Sequence, residues 1–232
     1  MPGSLTISKC TCKEIEPGTE WVIIDQGFAQ ASNKSCGFLH YEESGDSFEV
    51  EGKAISFSQM VEELKGLIYG SESNPDPLYL MIEAPLSISM KAGSPTGRWF
   101  EKKDKQTRYW YTGAGASTCL AVIALFQSIV REKNSRKPRP IKIYEGFVSF
   151  KDSEGSVGQK GHIRDVKLLG KALMNKNKKV CNDSLFWKET PFWSDPSDCK
   201  DVCTHSIFDF FMPKLCTSSV EPPLVLFPSH ST

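Results

Sequence analysis

Two short apolar runs along the chain each end in a carboxylate. The first, Trp21 to Asp25, reads WVIID, and the second, Leu78 to Glu83, reads LYLMIE. Apolar runs of this length, bounded by turn residues and polar stretches, predict buried strands. We therefore expect two strands, each of which carries an acid at its carboxyl end.

Further elements are predicted on either side of the second run. Segments 36–41 and 47–57 have strand-like patterns with a hairpin turn between them, so the first three strands form an antiparallel meander. Apolar residues at helical spacing predict a helix from Phe57 to about Gly70, and Ser56 with Gln59 offers a capping box at its start.

The remaining pattern alternates between strand and helix. In chain order we expect a loop over 89–115, a helix over 117–131, a strand over 141–150, a helix over 162–174, a short helix over 201–211 and an apolar run over 224–227. This order predicts an α/β fold with a mixed sheet and helices on both faces. Residues 19–232 are expected to form this single domain, after an N-terminal extension over 1–18.

Composition restricts the classes of protein that fit this pattern. The 232 residues carry 28 basic and 28 acidic side chains, so a nucleic acid would have to be gripped by local basic groups rather than by a strong overall field. The N-terminus does not resemble a secretory signal, and the apolar stretch from Cys119 to Val130 is shorter than a membrane span. We expect a cytoplasmic protein with reduced cysteines and no membrane association.

Asp25 and Glu83 are the first candidates for chemistry. Neighbouring strand ends in a mixed sheet would bring both acids within reach of one cation, and carboxylate oxygens are preferred ligands of Mg²⁺ and Mn²⁺. The alternative is that these acids lie where strands meet solvent, as many acids do.

Four segments carry a resemblance to a known family. They are VIIDQGFAQASNKSCGFL, LMIEAPLS, IKIYEGFVSF and GQKGHIRDVKLL. Together they resemble the ribonuclease H-like superfamily, nearest to RuvC-type resolvases and related uncharacterised predicted nucleases, over about residues 20–212. The resemblance implies a ribonuclease H-like fold in which Asp25 and Glu83 bind Mg²⁺ or Mn²⁺.

The same resemblance implies further acids on a C-terminal helix, a His or Asp followed closely by an Asp. His205 and Asp209 in DVCTHSIFDFF are the first candidates, because four residues apart they would share one helix face. Pro213 would end that helix early, which departs from the family pattern. The substitutes are Asp201, Asp165 and Glu145. Glu145 lies inside a strand-like run, where it either faces a site or lies at the surface of an edge strand.

These residues imply in-line hydrolysis of a phosphodiester by two metal ions. Asp25 would bridge the ions, Glu83 and Asp209 would each hold one, and His205 would position or deprotonate the water. The expected partner is DNA or RNA, and the resemblance to resolvases also allows a homodimer.

A basic and aromatic segment, GRWFEKKDKQTRYWYTGAGAS, resembles the arginine-bearing loop of the uncharacterised relatives. Phosphates could be gripped by Arg98, Lys102, Lys103 and Arg108, and a base could stack on Trp110. A solvated loop whose aromatic rings fold back onto the core explains the same composition equally well.

Other functions fit parts of the sequence. A zinc site could be built from Cys181, Cys199, Cys203 and His205, or with Cys10 and Cys12, although neither spacing matches a defined zinc motif. Actin-like ATPases and sugar kinases share an Asp-x-Gly turn but need two domains. The main alternative is a catalytically silent ribonuclease H-like module that binds nucleic acid or protein.

Overall fold

The structure, a computed structural model, describes residues 7–9, 20–27, 34–42, 51–70, 76–98, 101–103, 106–131, 137–148, 158–174, 202–208 and 224–226. The strands are β1 (Ile7–Lys9), β2 (Glu20–Asp25), β3 (Cys36–Glu42), β4 (Lys53–Ile55), β5 (Leu78–Glu83), β6 (Ser87–Lys91), β7 (Ser94–Thr96), β8 (Lys102–Lys103), β9 (Gln106–Thr107), β10 (Ile141–Val148), β11 (Val202–Ser206) and β12 (Leu224–Leu226). The helices are α1 (Phe57–Tyr69), α2 (Gly113–Val130) and α3 (Gln159–Met174).

A mixed sheet forms the centre of the fold. Its strand order is β1-β10-β5-β2-β3-β4, and β12 also pairs with β10. Strands β2, β5 and β10 are parallel, whereas β3 runs antiparallel to β2 and β4 runs antiparallel to β3. The predicted α/β class with a mixed sheet is therefore confirmed. Segment 1–18, predicted to be an extension, contributes β1 to this sheet.

The two faces of the sheet bury different side chains because successive residues of a strand point to opposite sides. Val22 and Ile24 pack with α1 and α2, and we call this the helix-pair face. Trp21 and Ile23 pack with Val166 and Leu169 of α3, and we call this the α3 face. The helices cover both faces, as the sequence pattern predicts.

Helix α1 begins as predicted. The Ser56 hydroxyl accepts a hydrogen bond from the backbone N–H of Gln59 at 3.2 Å, and the Gln59 side chain accepts one from the backbone N–H of Ser56 at 3.0 Å. This capping box satisfies two N–H groups that the first turn leaves without helical partners.

Helix α2 begins at Gly113, four residues before the predicted start at residue 117. At Gly115 a Cβ atom would lie 2.5 Å from the carbonyl oxygen of Tyr109, so only glycine lets this first turn approach the preceding chain. The 18 residues of α2 are, by length and composition alone, apolar enough to cross a membrane, a test that core helices also pass. Here Val122 and Phe126 are fully buried against the helix-pair face.

The structure corrects parts of two predicted elements. The predicted loop over 89–115 contains the antiparallel strands β6 and β7, joined by a tight turn in which Ala92 and Gly93 have φ of 49° and 79°. Of the helix predicted over 201–211, residues 202–206 instead form strand β11, because their backbone pairs with β6, whereas residues 207–208 are helical and residues 201 and 209–211 lie outside the described residues. The predicted hairpin turn at 42–46 lies outside the described residues, apart from Glu42 at the end of β3.

Candidate metal centre

Asp25 and Glu83 end neighbouring parallel strands and are paired in register. Residues opposite each other in a ladder point to the same face, so both carboxylates point toward α3. Asp25 also pairs with Gly37 of β3, and Glu83 pairs with Gly146 of β10. We call these four paired residues across the sheet the acidic row. Two acids therefore lie side by side with a glycine on each flank.

The flanking glycines allow α3 to lie close to the sheet. A Cβ atom at Gly37 would lie 2.4 Å from the carbonyl oxygen of His162, and one at Gly146 would lie 3.0 Å from Cδ2 of Leu169. Real Cβ atoms essentially never show a contact as short as the one at Gly37, so a larger residue there would push α3 away from the acids, whereas the contact at Gly146 is tight and meets only flexible side chains.

Helix α3 brings a third carboxylate to the row. Asp165 is 1% exposed, and its carboxylate lies with those of Asp25 and Glu83 so that one oxygen of each is within 4.8 Å of the others. Val166 and Leu169 anchor this part of the helix in the core of the α3 face. Three carboxylates at this separation can share one hard divalent cation.

His162 lies one helical turn before Asp165 and contacts the same site. Its Nδ1 donates a hydrogen bond to Oδ2 of Asp25 at 2.6 Å. Glu83 has its own backbone partner, since its Oε1 accepts from the N–H of Val148 at 3.3 Å. These contacts orient two of the three carboxylates.

The role of His162 was missed from the sequence, although a signal was available. In the segment HIRD, His162 and Asp165 are three residues apart, a spacing that puts both on one face of a helix. The sequence pattern offers Asp165 only as a substitute for Asp209, because it predicts the ligand-bearing helix nearer the C-terminus.

An open cleft of about 520 Å³ adjoins the carboxylates. Asp25 and Glu83 line it together with Arg108 and the first turn of α2, Gly113 to Gly115. The backbone N–H groups at a helix N-terminus carry partial positive charge and favour anions. The cleft therefore combines acids suited to a metal ion with a cation and a helix end suited to a phosphate.

Of the C-terminal candidates, the structure describes His205 alone. His205 lies in strand β11, and Asp209 and Asp201 lie outside the described residues. Of the residues considered for zinc, Cys10, Cys12, Cys181 and Cys199 also lie outside the described residues, and Cys203 lies in β11.

Glu145 does not join the acidic row, because it faces the other side of the sheet. It pairs in register with Ile82, one residue before the row that contains Glu83 and Gly146. Its side chain is buried at 2% exposure and contacts Arg98 and Ser87 on the helix-pair face. The position of Glu145 is thus incompatible with a shared metal site at Asp25.

The predicted nucleic-acid residues are found in different environments. Arg98 has a side chain that is 0% exposed, so its guanidinium has no surface on which to meet a phosphate. Trp110 donates from Nε1 to the carbonyl oxygen of Thr96 at 3.0 Å and packs against the core. Lys102 and Lys103 form strand β8, and Arg108 lines the cleft.

No known protein family, curated protein or solved structure matches the chain at a significant level.

Proposed function

We propose that the protein is a divalent-metal-dependent nuclease with a ribonuclease H-like fold. The observation that carries this proposal is the convergence of the carboxylates of Asp25, Glu83 and Asp165 within 4.8 Å beside an open cleft. Oxygen-only donors at this spacing suit Mg²⁺ or Mn²⁺ better than metals that prefer sulfur or nitrogen.

The sheet topology supports the resemblance on which the fold assignment rests. Strand β2 carries the first acid and lies between antiparallel β3 and parallel β5, which carries the second. The family pattern ends with a His or Asp followed closely by an Asp on a helix, and His162 with Asp165 on α3 fits that pattern. We therefore assign to Asp165 the ligand position expected of Asp209.

The proposed reaction is in-line hydrolysis of a phosphodiester. Bound metal ions would polarise the phosphate and activate the attacking water. Asp25, Glu83 and Asp165 would hold the metal, and Asp25 is paired with Glu83 in the sheet and contacts α3 through His162. His162 keeps the Asp25 carboxylate oriented, as hydrogen-bonded neighbours of metal ligands commonly do.

Arg108 and the first turn of α2, which also line the cleft, would hold the substrate backbone. Arginine can donate two parallel hydrogen bonds to a phosphate, and helix N-termini add N–H donors. Contacts of this kind position a nucleic acid without reading its sequence. DNA or RNA is accordingly the proposed partner.

Metal-dependent cleavage by the purified chain tests the proposal. Single-stranded, duplex and branched DNA, and RNA, would be incubated with Mg²⁺ or Mn²⁺, and Mn²⁺ binding would be measured by calorimetry. We expect Asp25→Asn and Asp165→Asn each to lower cleavage by at least about 100-fold. Glu62→Gln is the matched control, since Glu62 is an exposed acid that pairs with Lys65 on α1.

Two results would point elsewhere. Equal cleavage by the wild type and Asp25→Asn would show that these carboxylates are not the site of hydrolysis. Saturable Mn²⁺ binding that depends on Asp25, without cleavage of any substrate, would favour the catalytically silent binding module.

A further inference from the structure

Four side chains form a buried ionic network on the helix-pair face of the sheet, behind the acidic row. Arg98 is its centre, and its Nη1 contacts the carboxylate of Glu145 and donates to the hydroxyl of Ser87 at 3.0 Å. The same hydroxyl donates to Oε2 of Glu145 at 2.7 Å. On its other edge, Arg98 contacts Oε1 of Glu101 from Nε at 2.9 Å and from Nη2 at 2.7 Å.

The network is continuous with the segment that lines the cleft. The backbone N–H of Arg98 donates to Oε2 of Glu101 at 2.7 Å, and the carbonyl oxygen of Arg98 accepts from the N–H of Glu101 at 3.0 Å. The carbonyl oxygen of Glu101 in turn accepts from the N–H of Arg108 at 2.7 Å. A chain of hydrogen bonds thus runs from Glu145 in the sheet to the backbone of Arg108 at the cleft.

We propose that Arg98 and Glu145 are positioning residues that hold Arg108 in place to meet the substrate phosphate. The proposal rests on the proposed function, because it gives Arg108 the phosphate contact. Arg98 itself contacts no substrate, since its side chain is fully buried.

The planar guanidinium is the feature that this role requires. Arg98 uses opposite edges to join Glu145 of the sheet to Glu101 of the segment before Arg108. A lysine would keep the charge but could not present two donor edges at fixed angles. A buried ion pair adds little net stability compared with apolar packing. The role that we assign to this network is therefore to fix the position of the segment before Arg108.

Hydrogen exchange tests the positioning directly and needs no substrate. In Arg98→Lys we expect the amide of Arg108 to exchange roughly 10-fold faster, because its acceptor Glu101 is no longer held. Arg139→Lys is the matched control: Arg139 is a buried arginine paired with Glu20 at 2.5 Å, at the opposite end of β2 from Asp25. If Arg98→Lys folds poorly, Glu145→Gln replaces it, since the amide conserves the size of the side chain.

A double-mutant cycle tests the functional link. We expect Arg98→Lys to lower cleavage without changing Mn²⁺ affinity, and to have no further effect in an Arg108→Ala background. Independent, multiplicative losses from the two substitutions would overturn the proposal, as would unchanged exchange at Arg108.

The two proposals fail in different ways. A wild type without metal-dependent cleavage would contradict the proposed nuclease, while exchange at Arg108 would still show whether the network holds this segment. A wild type that cleaves, with Arg98→Lys as active as wild type, would contradict the positioning role alone.

Discussion

The central sheet carries buried acids on both faces, and the two groups have different neighbours. On the α3 face, Asp25, Glu83 and Asp165 bring three carboxylates to within 4.8 Å of one another. On the helix-pair face, Arg98 lies between Glu101 and Glu145 and contacts both. The two groups lie on opposite faces of strand β10. Gly146 lies in the acidic row on the α3 face, whereas the preceding residue, Glu145, points to the helix-pair face.

The difference shows what each group requires. Burial of a charge is unfavourable unless an opposite charge or hydrogen bonds compensate it. For Glu101 and Glu145 that charge is the guanidinium of Arg98, whose pKa is held above its usual range although burial alone would lower it. Clustered carboxylates are suited to binding a cation from outside the chain. The group on the α3 face therefore fits a cation-binding site, whereas the group on the helix-pair face contains its own cation, Arg98, and fits a structural role.

The largest expected effect is on stability and distinguishes the two groups. Arg98→Ala leaves two carboxylates buried without their cation, so we expect a loss of about 3–5 kcal/mol in the free energy of unfolding. Without divalent metal, Asp25→Asn should be neutral or stabilising, because it removes repulsion among acids. Urea unfolding of both variants measures the contrast, and similar losses would show that the two groups do not differ in this way.

Metal binding should stabilise the protein only through the three carboxylates on the α3 face. A ligand at 100 times its dissociation constant stabilises the folded state by about 2.7 kcal/mol. We expect Mn²⁺ to produce such a shift in wild type, and no shift in Asp165→Asn. Arg98→Lys should retain the shift relative to its own metal-free state, and its loss there would mean that the two faces are coupled.

The distance between α3 and the sheet can be varied at Gly37. In Gly37→Ala the new Cβ would lie 2.4 Å from the carbonyl oxygen of His162, so α3 must move, at a cost of about 1–3 kcal/mol. Mn²⁺ affinity should fall because Asp165 moves with the helix. The control is Gly66→Ala in α1, where no described atom outside the adjoining helix backbone lies within 4 Å of the new Cβ, and a gain of about 0.5–1 kcal/mol is expected.

The smallest effect concerns Glu20, which lies at the other end of the strand that carries Asp25. Burial would raise the pKa of Glu20, but hydrogen bonds from Arg139 and His40 outweigh it and hold the pKa below its ordinary value of 4.5. An acid with a lowered pKa stabilises the fold above that ordinary value, and the stability is lost as the pH falls through the lowered pKa. Glu20→Gln should therefore lose about 1 kcal/mol at neutral pH.

Thermal unfolding between pH 3 and pH 7, within the titration range of carboxylates, measures this contribution. The difference between wild type and Glu20→Gln should shrink as the pH falls below 4.5. A difference that is constant across this range would show that Glu20 acts by packing rather than through its charge.

Strands β2 and β5 and helix α1 could be predicted from local signals. The runs WVIID and LYLMIE are apolar enough to be buried on both sides, and each is followed by turn residues. The capping box of Ser56 and Gln59 marks the start of α1 within one residue. Such elements depend mainly on neighbours in sequence, which are visible without the fold.

Strand β11 and the turn between β6 and β7 could not be predicted in this way. Val202 to Ser206 forms a strand because it pairs with β6, more than 100 residues earlier in the chain. The local pattern around these residues does not reveal β6 as a partner, and it predicts a helix with His205 and Asp209 on one face. The turn between β6 and β7 puts Ala92 at positive φ, which is uncommon for a residue with a side chain.

The sequence by itself determined that two strands end in Asp25 and Glu83, because apolar runs and their terminal acids are adjacent along the chain. Only the tertiary structure decided which other groups join them. Strand register turned Glu145 to the opposite face, and two glycines let α3 bring His162 and Asp165 to the acids. The physical reason is that alternation along a strand and close packing between a helix and a sheet depend on partners distant in sequence.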